Sequence, residues 1–136
     1  MPAGYAHRAM FTDFAIRDTT AHDPASDSQI NVFDTHTYIY VIVKAINTHD
    51  QTIRLTFRSH MGASGREVAA SLGEADDIAT ADVLASDEET RILSIHDGSK
   101  PAILVISAQV VGAVAPTSGN INVFAHAFGI IPGMET

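Results

Sequence analysis

Apolar and polar residues alternate with a period of two along most of this chain, the spacing of side chains on a half-buried strand. Thr52 to Ser59 shows it most plainly: Ile53, Leu55 and Phe57 alternate with Thr52, Arg54, Thr56 and Arg58. Upstream, Thr35 to Ile46 is rich in β-branched and aromatic residues, the types that fit a pleated surface. Its odd positions, Thr37, Ile39, Val41, Val43 and Ala45, make the better core face; its even positions are His36, Tyr38, Tyr40, Ile42 and Lys44. The polar run Asn47 to Gln51 separates the two strands, and a link that short predicts a hairpin.

A second pair lies near the C-terminus. Pro101 opens a strand from Ala102 to Val114, with Leu104, Ile106, Ala108 and Val110 on one face and Ile103, Val105, Ser107 and Gln109 on the other. Its first half is apolar on both faces, as in a strand covered from both sides. Ala115 to Asn120 carries strong turn chemistry. Beyond it, Ile121, Val123, Ala125 and Ala127 alternate with Asn122, Phe124, His126 and Phe128, a second expected hairpin. Thr90 to His96 reads as a strand ended by Asp97-Gly98-Ser99, and Met10, Phe14 and Ile16 alternate with Asp13, Ala15 and Arg17. Ile30 and Val32 open a short strand after the polar loop Asp18 to Ser28; Glu67 to Leu72 and Ala81 to Leu84 fit short strands or a helical turn. About seven or eight strands spaced by turns predict one all-β domain over residues 1–136, an antiparallel β-sandwich of jelly-roll or immunoglobulin-like type.

Composition narrows the chemistry. A chain of 136 residues, 46% hydrophobic, is long enough to bury a core without staples. With no cysteine, disulfides, thiolate zinc sites and thiol nucleophiles are excluded. The net charge of -8 repels phosphate backbones and anionic lipids, so neither nucleic acid nor a membrane is an expected partner. Ala102 to Ala115, broken by Ser107, Gln109 and Gly112, falls short of the roughly 20 apolar residues of a spanning helix. Met1 to Arg8 holds no apolar run fit for a signal peptide, and synthesis without Sec export is expected.

No catalytic or cofactor motif stands out, and no enzyme is expected. The seven histidines include no His-x-His pair, the strand spacing that would put two imidazoles on one face toward a metal. They read as solvated or locally hydrogen-bonded side chains, with no metal and no cofactor. Seven of the sixteen acidic residues fall between Glu74 and Glu89, and that stretch reads as a solvated acidic loop rather than a calcium site. Gly62-Ala63-Ser64-Gly65-Arg66 lacks the Lys-Ser/Thr end of a phosphate loop, and Ser118 lacks a nucleophile elbow.

Two stripes of side chains point instead to contact surfaces. Phe124, His126 and Phe128 face away from the small residues beside them, Ile130 and Ile131 follow, and Phe11 lies opposite Phe14 on the first strand. Apolar groups on both faces of a strand require a cover on both. The expected subunit interface is therefore Phe11, Phe124, Phe128, Ile130 and Ile131. An alternative ligand face, suited to a glycan, is His36, Tyr38 and Tyr40.

The runs Asn47-Thr48-His49-Asp50-Gln51-Thr52-Ile53-Arg54-Leu55 and Pro116-Thr117-Ser118-Gly119-Asn120-Ile121-Asn122-Val123 resemble those of small β-sandwich structural proteins from tailed phages and archaeal viruses. The likeness covers residues 35 to 128 in general layout and lies in turn and strand chemistry. It implies a structural virion protein, a decoration or cement protein of a capsid or a tail component, assembled as a symmetric homo-oligomer on a larger lattice such as a major capsid or tail protein. In such an assembly residues 1–17 would serve as an arm or added strand reaching a neighbour. The alternative class is a glycan- or surface-binding module.

Overall fold

The structure is a computed structural model that describes residues 5–23, 29–60, 76–97, 100 and 103–131. The strands among them are β1 (Tyr5–Phe14), β2 (Val32–Asp34), β3 (Tyr38–Asn47), β4 (Ile53–His60), β5 (Asp76–Val83), β6 (Asp87–Ser94), β7 (Ile103–Val110) and β8 (Ile121–Ile130). They form two four-stranded antiparallel sheets, in the orders β1-β8-β3-β6 and β2-β7-β4-β5. The chain is an all-β sandwich. The stretch Glu67 to Leu72 lies outside the described residues.

The order follows from one operation. β1 pairs with β8, β2 with β7, β3 with β6 and β4 with β5, so the chain is doubled back as one long antiparallel ribbon. β8 then pairs with β3, and β7 with β4, which rolls the ribbon into two facing sheets, the arrangement of a jelly roll. An immunoglobulin-like sandwich keeps several consecutive strands side by side; here β4 and β5 alone of the consecutive strands are neighbours.

This topology corrects both expected hairpins. β3 and β4 lie in different sheets, as do β7 and β8, so Asn47–Gln51 and the 111–120 connection cross from sheet to sheet. Alternation records which face of a strand is buried, and it is the same whether the next strand pairs alongside or packs opposite.

The inward faces are those the alternation marks. Val41, Val43 and Ala45, Ile53, Leu55 and Phe57, and Ile121, Val123, Ala125 and Ala127 join one buried cluster spanning both sheets. β7, between β2 and β4, is buried on both faces from Ile103 to Ala108; Ile103 and Val105 form a small second cluster with Val32. In β1 the alternation breaks: Met10 and Phe11 are both fully buried. Register shifts against β8 between Ala9 and Phe11 and between Phe11 and Phe14 are bulges, which re-aim a side chain. Asp13, at φ 47°, lies in the second of them.

The acidic stretch from Glu74 to Glu89 is a corrected expectation as well. From Asp76 onward it is β5, a short turn and the start of β6. Both are edge strands, and charges on an edge discourage unwanted pairing. Asp82 accepts two hydrogen bonds from Arg54, at 2.7 and 3.1 Å, which hold its carboxyl below the usual carboxylate range. Glu88 lies 3.7 Å from Lys44.

At one end of the sandwich the two crossing connections bind each other. Asn47 is fully buried; its Nδ2 donates toward the carbonyls of Gln51, Val83 and Leu84 at 3.0, 3.0 and 3.2 Å. Its Oδ1 accepts from the His49 amide at 2.9 Å and faces His49 Nδ1 at 2.8 Å. The Thr48 amide donates to the Asn120 carbonyl at 2.8 Å, and Thr48 Oγ1 accepts from the Asn120 amide at 2.9 Å. Asp50 accepts from the hydroxyl and amide of Thr117, at 2.6 and 3.0 Å. The two runs that carry the viral resemblance thus form a single polar knot. His49, expected to be solvated or locally hydrogen-bonded, is bonded to nearby Asn47 and fully buried in the knot.

Candidate functional site

β8 runs between β1 and β3, and its outward residues form the middle of a grid on the outer face of the β1-β8-β3-β6 sheet. One row across that face is Tyr5, Phe128, Tyr40 and Ser94; the next is His7, His126, Ile42 and Ile92; the third is Ala9, Phe124, Lys44 and Thr90. The placement follows from alternation, since Ile121, Val123, Ala125 and Ala127 take the inward positions.

The rings pack on one another in the plane of the face. Phe128 and Tyr40 stack with centroids 5.1 Å apart. His126 stacks with Tyr5 at 5.6 Å and with His7 at 6.0 Å, and touches Phe128 at 6.1 Å. Tyr40 also meets His96 at 5.8 Å. These contacts tie the rings of neighbouring strands to one another, while much of the apolar area of the face stays in solvent: Tyr5 is 59% exposed, Ile92 56% and Phe124 42%. Isolated apolar groups on a surface are ordinary, but a contiguous aromatic field resembles the core of a protein–protein contact. Lys44 and Glu88 mark its charged margin.

The sequence-expected residues divide. Phe124 and Phe128 lie on this face, and Ile130 and Ile131 are half-buried where β8 ends. Just before them Gly129 takes φ +74°, beside the Ile39 side chain, and the Ile131 amide donates to the Thr37 carbonyl at 2.9 Å. Phe11 leaves the expected interface: the β1 bulges turn it wholly into the core. Residues 5–14 of the expected arm are an edge strand of the chain's own sheet. The glycan stripe is not continuous. Tyr38 belongs to the core cluster, Tyr40 to the aromatic grid, and His36 is held against Asp34 at 2.7 Å. Tyr5, His7, Ile42 and Ile92 are the additional members of the face. The even positions of β3 already marked Ile42, and the i, i+2 spacing of Tyr5 and His7 is the signal for the other edge.

The face offers contiguous aromatic and apolar contact area interleaved with the imidazoles of His7 and His126. Among the described residues no three histidine, aspartate or glutamate side chains gather to hold a metal ion, and no helix is long and apolar enough to cross a membrane.

No family model matches the chain, and no curated protein matches it in sequence. Among solved structures it is similar to a chain of the disulfide-linked pili of Bacillus endospore appendages, with a TM-score of 0.50 and 12% identity over 96% of each chain. It is also similar to a chain of tomato aspermy virus (TM-score 0.47, 13% identity, 100% of this chain and 83% of that one). The coat protein of tobacco streak virus follows, with a TM-score of 0.42 and 5% identity over 100% and 93% of the two chains. At 12% identity the likeness to the Bacillus chain is one of fold alone.

Proposed function

We propose that this chain is a non-enzymatic structural subunit that assembles with copies of itself, and that the outer face of the β1-β8-β3-β6 sheet is one of its contacts. The observation that carries the reading is the stacked field of Tyr5, His126, Phe128 and Tyr40 with Phe124 and Ile92 exposed beside it. Each Å² of apolar surface that a neighbour removes from water contributes roughly 25 cal/mol, and a closed symmetric contact lets one face serve both partners. The Bacillus chain, which forms pili, is a precedent for a sandwich of this shape in a polymer. This sequence holds no cysteine, so a disulfide linkage between subunits is not open to it.

The finer form of the proposal is a virion component, a decoration or cement protein on a capsid or a tail protein, seated on a larger lattice. It is supported by the paired connections that resemble phage and archaeal-virus sandwiches and now stand together in the polar knot. The N-terminal half of β1, at the edge of its sheet, offers main-chain groups for strand addition as a second contact; from Met10 to Thr12 that edge is already taken by Gln29 and Ile30.

The double substitution Phe124→Ser with Phe128→Ser is expected to reduce the assembled mass in light scattering while the β-type circular dichroism persists. Phe124 is exposed and Phe128 half-buried, so the fold loses the ring contacts of Phe128 with Tyr40 and His126, about 1–3 kcal/mol. Assembly at full strength in the double variant would move the contact to another face.

A further inference from the structure

We propose that His49 is an acid-opened latch, holding the segment that follows β1 against the β3–β4 connection and releasing it when the imidazole takes a second proton. This stands apart from the assembly reading, because it concerns contacts within one chain.

The hydrogen-bond pattern fixes the ring's protonation. The Ile16 amide is a donor by nature, and it points at His49 Nε2 from 3.0 Å in a buried contact. Nε2 must therefore be the bare acceptor, and the ring proton sits on Nδ1, facing Asn47 Oδ1 at 2.8 Å. That assignment agrees with the rest of the knot, since it leaves Asn47 Nδ2 for the carbonyls around it. The His49 carbonyl also accepts from the Ser86 amide at 3.2 Å. The side chain is fully buried, so water reaches neither nitrogen in the closed form.

A second proton would place Nε2–H against the Ile16 N–H, donor facing donor. The hydrogen bond that ties Ile16 to the connection would be lost and two buried donors left without acceptors. The charges around the ring do not favour the cation. Arg17, next to Ile16, donates to the carbonyls of Ile16 and Gly119 at 2.9 and 2.8 Å, and its guanidinium opposes a positive imidazole. Asp50 favours the cation, but its oxygens are engaged by Thr117. The 111–120 connection and the β5–β6 turn Leu84-Ala85-Ser86 bring no charged residue; Asp87 enters only as β6 begins, in register with Asn47. Burial first, then Arg17, hold the His49 imidazole below its ordinary value. The open form takes up its proton near the ordinary imidazole range, about pH 6.5. Opening is therefore rare above that pH and grows as pH falls through it.

Amide hydrogen exchange on the full chain tests this. The protection factor of Ile16 is expected to fall about tenfold between pH 7 and 5.5, and at both pH values Ile16 is expected to exchange faster than Val43 in mid-β3. In His49→Gln the Ile16 protection is expected to be the same at both pH values. Wild-type protection of Ile16 that does not change with pH would overturn the latch. So would one common rate for Ile16 and Val43, which would make the opening plain global unfolding. Nitrogen-15 spectra of the wild-type imidazole supply a reading that needs no variant: the Nδ1–H tautomer is expected at neutral pH, and the Nε2–H tautomer would overturn the assignment.

Discussion

Gly119→Ala is expected to lower folding stability by about 3–5 kcal/mol, at the severe end for a single methyl group. Gly119 takes φ +84°, and a Cβ there would lie 2.1 Å from the Thr48 carbonyl oxygen, 2.4 Å from its carbon and 2.6 Å from His49 Cα. All three atoms are backbone, so no rotamer change relieves the clash. The 111–120 connection would have to lift off the β3–β4 connection. That would break the 2.8 Å bond from the Thr48 amide to Asn120 and the 2.8 Å bond from Arg17 to the Gly119 carbonyl. Gly112 is the control: it takes φ +97° with nothing within 4 Å of its would-be Cβ, so Gly112→Ala should cost only backbone strain, about 1–2 kcal/mol. Urea unfolding of the two variants would show the difference. Equal midpoints for the pair would mean that the two connections are not locked together.

Asn47→Leu is expected to cost about 3–5 kcal/mol, although leucine has the same branched skeleton of side-chain heavy atoms. The amide of Asn47 serves three carbonyls and two donors of His49 within a buried site. Leucine leaves the His49 amide and ring N–H and the Val83 carbonyl without these partners, and an unsatisfied buried group costs about 1–3 kcal/mol. Calorimetry of the variant should show a large fall in the unfolding temperature with the same β-rich spectrum below it. A near-wild-type transition would mean that water replaces the amide and that the knot is not dry.

Acid acts on the knot in two separate ranges. His49, held below the ordinary imidazole value of 6.5, withholds a proton that the unfolded chain accepts, so its contribution is complete above about pH 6.5 and is lost as pH falls below it. Asp50 is held below the ordinary carboxylate value of 3.8 by the Thr117 hydroxyl and then the Thr117 amide. Outside the knot, on β5, Asp82 is lowered by Arg54. Their contributions are present above about pH 3.8 and are lost as pH falls through the lowered values. A loss of stability that begins near pH 6 therefore belongs, among these groups, to His49.

The inward faces of β3, β4, β7 and β8 were legible in the sequence because burial on one face leaves a period of two that needs no partner to be named. Ile53, Leu55 and Phe57 would read the same beside β3 as opposite it, so pairing was not legible, and two sheet-crossing connections passed for hairpins. Phe11 was misplaced because a bulge adds a residue without changing composition. The outer face was half legible. Phe124 and Phe128 declared themselves as large residues opposite small ones, whereas Tyr5 and His7 join them only through the register of β1 against β8. For His49 the sequence allowed a local hydrogen bond such as that to Asn47, but its burial and its contact with Ile16, 33 residues away, left no signal in a polar run.

Light scattering of the purified full chain at micromolar concentration, compared with the Phe124→Ser and Phe128→Ser double variant, tests self-assembly through the aromatic sheet face most directly. The wild-type chain is expected at a defined multiple of the monomer mass or as larger particles, with the variant shifted toward the monomer. A wild-type chain that stays monomeric across that range would contradict the proposed function.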